Sequence, residues 1–320
     1  MAKRVTANQH YVPQFYLKQF ADSDGNLQKM SLTSRRIHKP RPCAAHSYDR
    51  YFYGIVTGVK DNVSQEYERM LGEIESRIAL ALPNTIQRLE SRRASDDDFP
   101  MLSVFMASQW LRTMYYRERL SWMHINMLRK VSAIGTTGHV RALAAQLGKE
   151  LTDEDLKNVR EGGAGIEFNN LSHLQMLDVP SIERFARMLL CKTWNIIRPE
   201  GRLRFITSDN PVAEWSPLAT GMCRAGFLER KHYFALTPTV LIECIGPAPD
   251  SPIEPLDRPA PARVEYRIAE RDETLMFDML LARRGGHYCY SSSREEFTAI
   301  LGETEQPTVA TAMYKECFQA

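Results

Sequence analysis

The chain has 320 residues, 43% hydrophobic and 25% charged, with a formal net charge of +2, which is typical of a globular protein and excludes a disordered or fibrous one. It contains no apolar run of the ~18–20 residues that a membrane span requires, and residues 1–10 lack the apolar core of a secretory signal. The six cysteines are scattered without metal-ligand spacing, so we expect reduced thiols, a cytoplasmic location and no membrane partner.

The first predicted element is a short helix within NQHYVPQFYLKQF, residues 8–20. Pro13 suits its first turn, because the missing N–H costs nothing there and the fixed φ is helical. Tyr16 and Phe20 are four residues apart and therefore share one face, which we expect to be buried. His10 precedes the helix, where a neutral imidazole could act as a general base or metal ligand, or could simply bond the backbone.

A turn signal at residues 22–26 and two strand patterns around Thr33-Ser34 then predict a β-hairpin. Residues 1–60 carry a net charge of +7, which leaves −5 on the remaining 260 residues. The densest basic stretch, SRRIHKPRP at 34–42, either binds a nucleic-acid backbone or is a solvated edge whose charges prevent strand pairing. The candidate nucleic-acid contacts are Arg35, Arg36, Lys39 and Arg41.

A helical core is predicted for residues 61–190. Its first helix begins at Val63, with Pro83 distorting the end before the amphipathic pattern resumes through Leu89. Glu68 and Glu75 share one face of this helix, about 10.5 Å apart along its axis. They could line one cleft, or they could form ordinary salt bridges with neighbours.

The next predicted helix is a single long element over residues 101–131, apolar on much of its surface. Gln109 and Arg112 are three residues apart and therefore point the same way from it. A buried guanidinium needs an anionic partner. That partner is either a structural carboxylate such as Glu68 or Glu75, or a phosphate or carboxylate of a substrate.

Two shorter helices, a GGAG break and a further helix at 180–194 follow, with Pro180 ahead of its first turn and Ser181 as a candidate cap. Short β-branched or aromatic runs then predict strands at TWNIIRP, LRFITS, HYFALTP, VLIECIG and HYCYSSS, with a proline-rich loop at 253–262. In FITSDNPV, Asp209 follows a strand and precedes Pro211. Its carboxylate either forms part of a site or makes an Asx-turn.

These elements predict an α+β fold in a single domain, 1–320. It comprises an N-terminal helix and β-hairpin (1–60), a central helical bundle (61–190) and a β-rich C-terminal part (191–320). The motifs GxxxxGK[ST], GxGxxG, GxSxG and HExxH are absent, which argues against a P-loop nucleotide site, an α/β-hydrolase and a zincin.

Four stretches, taken in order, resemble a bacterial family known as domain of unknown function number 4238: HYVPQFYLKQF, YERMLGEIES, FMASQWLRT and FITSDNPV. The resemblance covers about residues 8–245. The tail matches less well, because the family tends to have an Asn in the helix before the last strand, and FDMLLARRGGHYCYSSS contains no Asn. It implies a family and no particular reaction. The positions that match are His10, Pro13, Tyr16, Glu68, Glu75, Gln109, Arg112, Asp209 and Pro211, and the polar members imply a converging pocket.

Two hypotheses follow. In the first, the protein is a metal-dependent hydrolase, a phosphodiesterase or nuclease with a defence or toxin role. Its catalytic set is His10, Glu68, Glu75, Gln109, Arg112 and Asp209. The three carboxylates would bind Mg²⁺ or Mn²⁺, His10 would be the general base, and Arg112 would stabilise the charge on the phosphate. In the second, the protein is a non-catalytic ligand- or partner-binding module, and these residues form a buried structural network closed from solvent.

Overall fold

The structure of the protein is a computed structural model, and it describes residues 6–54, 64–161, 170–215, 230–246, 260–261 and 263–303. Within these residues the protein has the predicted α+β fold, with an N-terminal helix and hairpin, a helical centre and a β-rich C-terminal part. In the same residues, no helix combines the length and the apolar character needed to cross a membrane.

The N-terminal motif is a strand followed by a short helix. Strand β1 spans Asn8–His10 and helix α1 spans Gln14–Leu17, continued by a 3₁₀ turn over Lys18–Phe20. Pro13 is the N-cap, one position earlier than the first helical residue, and its carbonyl accepts the N–H of Tyr16 at 3.2 Å. The predicted helix is therefore confirmed, with its last turn tightened.

Tyr16 and Phe20 are both completely buried, as their spacing predicts. The Tyr16 ring lies 5.8 Å from the Phe105 ring and 5.2 Å from the Phe234 ring. Its hydroxyl donates to the Ala235 carbonyl at 2.6 Å, so the phenol satisfies its polar end inside the core. The N-terminal helix is thus anchored to both the helical centre and the C-terminal sheet.

The predicted hairpin is also confirmed. Strands β2 (Asn26–Ser31) and β3 (Ile37–Pro42) are antiparallel, and Asp22 supports the preceding turn by accepting the N–H of Asn26 at 2.8 Å. A 3₁₀ turn over Cys43–Ala45 leads into β4 (Tyr48–Arg50), which pairs with β1.

The helical centre departs from prediction in the division of its longest predicted helix and in the cap of its last helix. Helix α2 spans Glu66–Glu90 and continues through Pro83, while Val63 lies outside the described residues. The single long helix predicted for 101–131 is wrong: α3 (Asp98–Leu111) and α4 (Met114–Ile134) are separate. Thr113 separates them because it has extended backbone geometry and caps α4, with its side chain accepting the Tyr116 N–H at 3.3 Å.

Four further helices complete this part: α5 (Thr137–Gln146), α6 (Asp153–Glu161), α7 (Leu171–Gln175) and α8 (Val179–Leu190). The GGAG break at 162–165 lies outside the described residues. The expected cap of α8 is wrong, because Asp178 caps it by accepting the Ser181 N–H at 2.9 Å. Pro180 lies inside the first turn.

The C-terminal strands follow in chain order as β5 (Thr193–Pro199), β6 (Thr207–Ser208), β7 (Val212–Trp215), β8 (Lys231–Thr237), β9 (Val240–Ile245), β10 (Arg263–Ala269) and β11 (Tyr288–Ser291). One sheet has the order β10-β5-β9-β8-β7, with β10 and β5 parallel and the other pairs antiparallel. Two helices that were not predicted accompany the strands, α9 (Arg271–Arg284) and α10 (Arg294–Glu303). Most of the predicted 253–262 loop lies outside the described residues.

A second sheet joins the two ends of the chain, with the order β3-β2-β11-β6. Strand β11 lies between β2 of the N-terminal hairpin and β6, which immediately precedes Asp209. The pairing of β6 with β11 places Asp209 beside residues 286–287, whose backbone N–H groups donate to its carboxylate.

Candidate functional site

Arg112 is the centre of a buried polar network. It is the C-cap of α3 and its side chain is only 2% exposed. Its Nε donates to the Tyr53 hydroxyl at 3.0 Å, its Nη2 donates to the His10 carbonyl at 2.6 Å, and its Nη1 forms an ion pair with Glu75. All three guanidinium nitrogens therefore have protein acceptors, and the arginine ties α2, α3 and β1 together.

His10 is half-buried, and its ring is fixed by a backbone contact. Its Nε2 lies 3.3 Å from the Ala44 carbonyl oxygen. Because a carbonyl oxygen only accepts, Nε2 carries the proton and Nδ1 keeps its lone pair. Burial, assisted by the Arg112 charge, lowers the pKa of His10, although the Ala44 contact and Glu75 oppose this shift. At neutral pH the ring is therefore a neutral imidazole with an available nitrogen base.

Glu68 lies near the same ion pair but does not join it. The side chain is half-buried and makes no ion pair or hydrogen bond with any described residue. Burial raises the pKa of the Glu68 carboxyl, the Arg112 charge opposes that shift, and the Glu75 carboxylate adds to it. His10 and Glu68 thus share the electrostatic field of one Arg112–Glu75 pair, and their pKa values are displaced towards each other.

Asp209 belongs to a different contact. Its side chain is 2% exposed and accepts the N–H of Gly286 at 2.7 Å and the N–H of His287 at 2.8 Å. A Cβ at position 286 would lie 3.3 Å from both carboxylate oxygens, so a glycine allows this close approach. The Asx-turn alternative is not what forms, because the local turn is made by Ser208, whose hydroxyl donates to the Asn210 carbonyl at 2.9 Å.

Gln109 is completely buried in α3, and neither its amide nitrogen nor its amide oxygen has a hydrogen-bond partner among the described residues. No contact links it to Arg112, although the two residues are three apart. Burying an amide without a hydrogen-bond partner lowers the stability of a fold, so the Gln109 side chain adds no hydrogen bond that stabilises this one.

The expected metal ligands are not assembled. Among the described residues, no group of three or more His, Cys, Asp or Glu side chains is arranged to hold a metal ion. Glu75 is bound to Arg112, and Asp209 is bound to backbone donors of another segment. The expected set of Glu68, Glu75 and Asp209 therefore does not fit a Mg²⁺ or Mn²⁺ ion in this arrangement.

The basic run lies on an edge strand. Among the described strands, β3 pairs with β2 alone, and the side chains of Lys39 and Arg41 are exposed beside two prolines. Arg35 and Arg36 are exposed in the preceding turn. Charged residues and prolines on an edge strand prevent pairing with other chains, which favours the solvated-edge alternative. The same strand leads into the turn whose Ala44 carbonyl contacts His10.

The family of this chain follows from its match to a model of a known protein family. A family model described as "Protein of unknown function (DUF4238)" matches residues 8–295. The chain belongs to this family. The match extends beyond residue 245, so it includes β11 and the glycine that contacts Asp209. No significant match was found among curated proteins or among solved structures.

Within this DUF4238 chain, three residues near His10 were not identified from the sequence. Tyr53 bonds Arg112, and its backbone N–H donates to the Gln9 side chain at 2.7 Å. Tyr48 is directly opposite His10 in the β1–β4 pair, and Arg50 is opposite Asn8. All three lie in the aromatic run YDRYFYG, and this run is the feature of the sequence that could have indicated them.

Proposed function

We propose that this protein is an enzyme that cleaves phosphodiester bonds in single-stranded RNA by internal transesterification, with His10 as its general base. The observation that carries the proposal is the half-buried His10 ring, held through Nε2–H by Ala44 with Nδ1 unprotonated. A base with a lowered pKa and a carboxyl with a raised pKa, both in the field of the Arg112–Glu75 pair, are the combination that general acid–base catalysis uses.

The chemistry requires one proton acceptor and one proton donor, because RNA supplies its own nucleophile. His10 Nδ1 would take the proton from a ribose 2′-hydroxyl as that oxygen attacks the phosphorus. The Glu68 carboxyl would give its proton to the departing 5′-oxygen. The products would be a 2′,3′-cyclic phosphate and a free 5′-hydroxyl, with His10 protonated and Glu68 ionised until the two exchange protons with water.

The surface around His10 supports a nucleic-acid substrate. Residues opposite each other and two apart on paired strands share one face, so Asn8, His10, Tyr48 and Arg50 lie on the same side of the β1–β4 ribbon. The Tyr48 side chain is 41% exposed and its ring lies 5.5 Å from that of His10. An exposed tyrosine can stack on an unpaired base, and Arg50 can bind the adjoining phosphate.

Arg112 has a positioning role in this proposal. Its Nη2 holds the His10 carbonyl at 2.6 Å, and the Tyr53 hydroxyl donates to the same oxygen at 3.3 Å. These contacts fix the backbone of the strand that carries the imidazole. Its positive charge also helps to keep His10 neutral.

The test is a cleavage assay with a homopolymeric RNA and its DNA counterpart in the presence of EDTA. Wild-type protein should cut the RNA alone and leave a 2′,3′-cyclic phosphate, and His10→Gln should lower the rate by about 10²-fold or more. His139→Gln is the matched control, because His139 is an exposed capping residue of α5 and glutamine can take its place. Equal cleavage of DNA, complete loss in EDTA, or full activity of His10→Gln would overturn the proposal.

A second candidate is the non-catalytic binding module. It is favoured by the enclosure of Arg112 and Asp209, whose polar groups are directed to protein partners. In that case RNA or another ligand would bind without being cleaved, and His10→Gln would leave binding unchanged.

A further inference from the structure

A cavity lined largely by charged side chains lies where α9 and α10 begin, and none of its lining residues belongs to the β1–β4 ribbon that carries His10 (the His10 ribbon). Its volume is about 320 Å³. We propose that it binds a small phosphate-bearing ligand, held by the arginine side chains that line it. The polar residues that matter most are Arg202, Arg204, Arg271, Asp278, Ser293 and Glu296.

The arginines come from two separate segments. Arg202 and Arg204 lie in the connection after β5, and Arg271 is the first residue of α9. In the described part of the chain none of the three forms an ion pair, and Arg204 donates only to the neighbouring Leu203 carbonyl, at 2.7 Å. The cavity therefore offers three guanidinium groups that make no ion pair with a described residue, and a bound anion would supply the partner. Guanidinium groups match the oxygens of a phosphate better than an ammonium does.

A buried carboxyl supplies the second observation. Asp278 is 5% exposed, and its Oδ1 accepts the Ile206 N–H at 3.0 Å. Its other oxygen makes no hydrogen bond with a described residue, although the side chain lines the cavity. Burial raises the pKa of Asp278 well above its usual range. A protonated Asp278 can therefore donate to a phosphate oxygen rather than repel it.

Glu296 makes the binding sensitive to pH. Burial raises its pKa to about 7, while the Ser293 backbone contact and Arg204 partly oppose the shift. A raised pKa means that Glu296 is neutral below about pH 7 and negative above it, so an anion meets repulsion only on the alkaline side. The charged or titratable groups around it are Arg202 and Arg204 from the connection, Arg271 and Asp278 from α9, and Glu295 from α10. Anion binding should therefore weaken as pH rises through about 7, with a proton taken up on binding.

The size of the cavity limits the ligand. A volume of 320 Å³ lies at the lower end of the range of about 300–1,000 Å³ that is common for ligand pockets, which accommodates a phosphate with a small organic group. Inorganic phosphate and a sugar monophosphate share the chemistry that the arginines recognise. A comparison of inorganic phosphate with ribose 5-phosphate shows whether the cavity binds the free anion or a sugar phosphate. Citrate shows whether a carboxylate ligand can bind in place of a phosphate.

The experiment is isothermal titration calorimetry of the full chain with these three anions, on either side of pH 7. Ribose 5-phosphate should bind, and Arg204→Gln should weaken it roughly tenfold or more. Arg129→Gln is the matched control, because Arg129 is exposed on α4 outside the cavity. Glu296→Gln should lose less binding than wild type as pH rises through 7, because its side chain stays neutral while the second ionisation of the phosphate, with a pKa of about 6, affects both proteins alike.

Asp278→Asn keeps an acceptor for the Ile206 N–H and offers an N–H to the ligand, so it should retain binding. The proposal is overturned if neither phosphate compound binds at millimolar concentration, if citrate binds and both phosphates do not, or if folded Arg204→Gln binds as tightly as wild type. Equal weakening by Arg129→Gln would also overturn it, since the effect would then come from net charge. Because none of these residues belongs to the His10 ribbon, RNA cleavage can fail while this binding succeeds, and the reverse.

Discussion

Arg112 Nη2 lies 2.6 Å from the carbonyl oxygen of His10, although the two residues are 102 positions apart in the sequence. The guanidinium thus fixes the backbone of the residue whose ring carries the proposed chemistry. A chain whose Arg112 was directed at a substrate would leave that carbonyl without its strongest donor. Because its guanidinium is directed at protein acceptors, Arg112 holds His10 in position and does not bind a ligand itself.

Replacement of Arg112 by methionine should destabilise the fold. The change leaves the Glu75 carboxylate without its ion-pair partner and leaves the His10 carbonyl with only the longer contact from the Tyr53 hydroxyl among the described residues. Breaking a buried ion pair in this way costs about 3 kcal/mol or more. We expect a loss near 3 kcal/mol, at the low end of the usual range of about 3–5 kcal/mol, because the Glu75 side chain is 27% exposed. Urea denaturation of Arg112→Met, Glu75→Gln and the double variant measures this. Losses that simply add would contradict the coupling.

Phe20 and His10 should respond differently to truncation. Phe20 is completely buried against Tyr16, so Phe20→Ala should cost about 3–5 kcal/mol of unfolding free energy. His10 is half-buried, and its ring makes one long hydrogen bond, to the Ala44 carbonyl, and one ring contact, with Tyr48, so His10→Ala should change stability by less than about 1 kcal/mol. Similar losses in the two variants, measured by denaturant titration, would make His10 an architectural residue.

Gln109 should tolerate an apolar substitute. Its amide is buried and has no hydrogen-bond partner among the described residues, so Gln109→Met should stabilise the fold by about 1 kcal/mol. Gln109→Glu is a useful contrast, because it buries an unpaired charge and should be strongly destabilising. If Gln109→Met instead lowers the melting temperature, the amide must have a partner such as a bound water molecule.

The pH dependence of RNA cleavage should reflect two displaced pKa values. Catalysis needs unprotonated His10, whose pKa is lowered by burial, and protonated Glu68, whose pKa is raised by burial. The rate should therefore fall below the lowered His10 pKa and fall again as pH rises through the raised Glu68 pKa. A profile of kcat/KM against pH should therefore be bell-shaped, with its maximum between these two pKa values. A plateau extending to alkaline pH, or a Glu68→Gln variant with full activity, would exclude Glu68 as the proton donor.

Local features of the fold could be predicted from the sequence, while its distant contacts could not. The Pro13 helix start and the β5 strand follow from residue types that act within a few positions. The break at Thr113 was missed because the apolar pattern runs through it, although a threonine is a good N-cap. Within the candidate site, the Arg112–Glu75 pair was among the partners expected. The contacts of Arg112 with the His10 carbonyl and of Asp209 with Gly286 and His287 were not, because backbone partners leave no residue pattern.

The protonation state of His10 tests the central claim most directly. Nitrogen-15 NMR of histidine-labelled protein, with His10→Gln used to assign the signal, reports which ring nitrogen carries the proton and at what pH the ring titrates. The neutral ring should carry its proton on Nε2, held by Ala44, and its pKa should lie below the ordinary value of about 6.5. A proton on Nδ1, or a pKa above the ordinary value, would contradict a general base at this position.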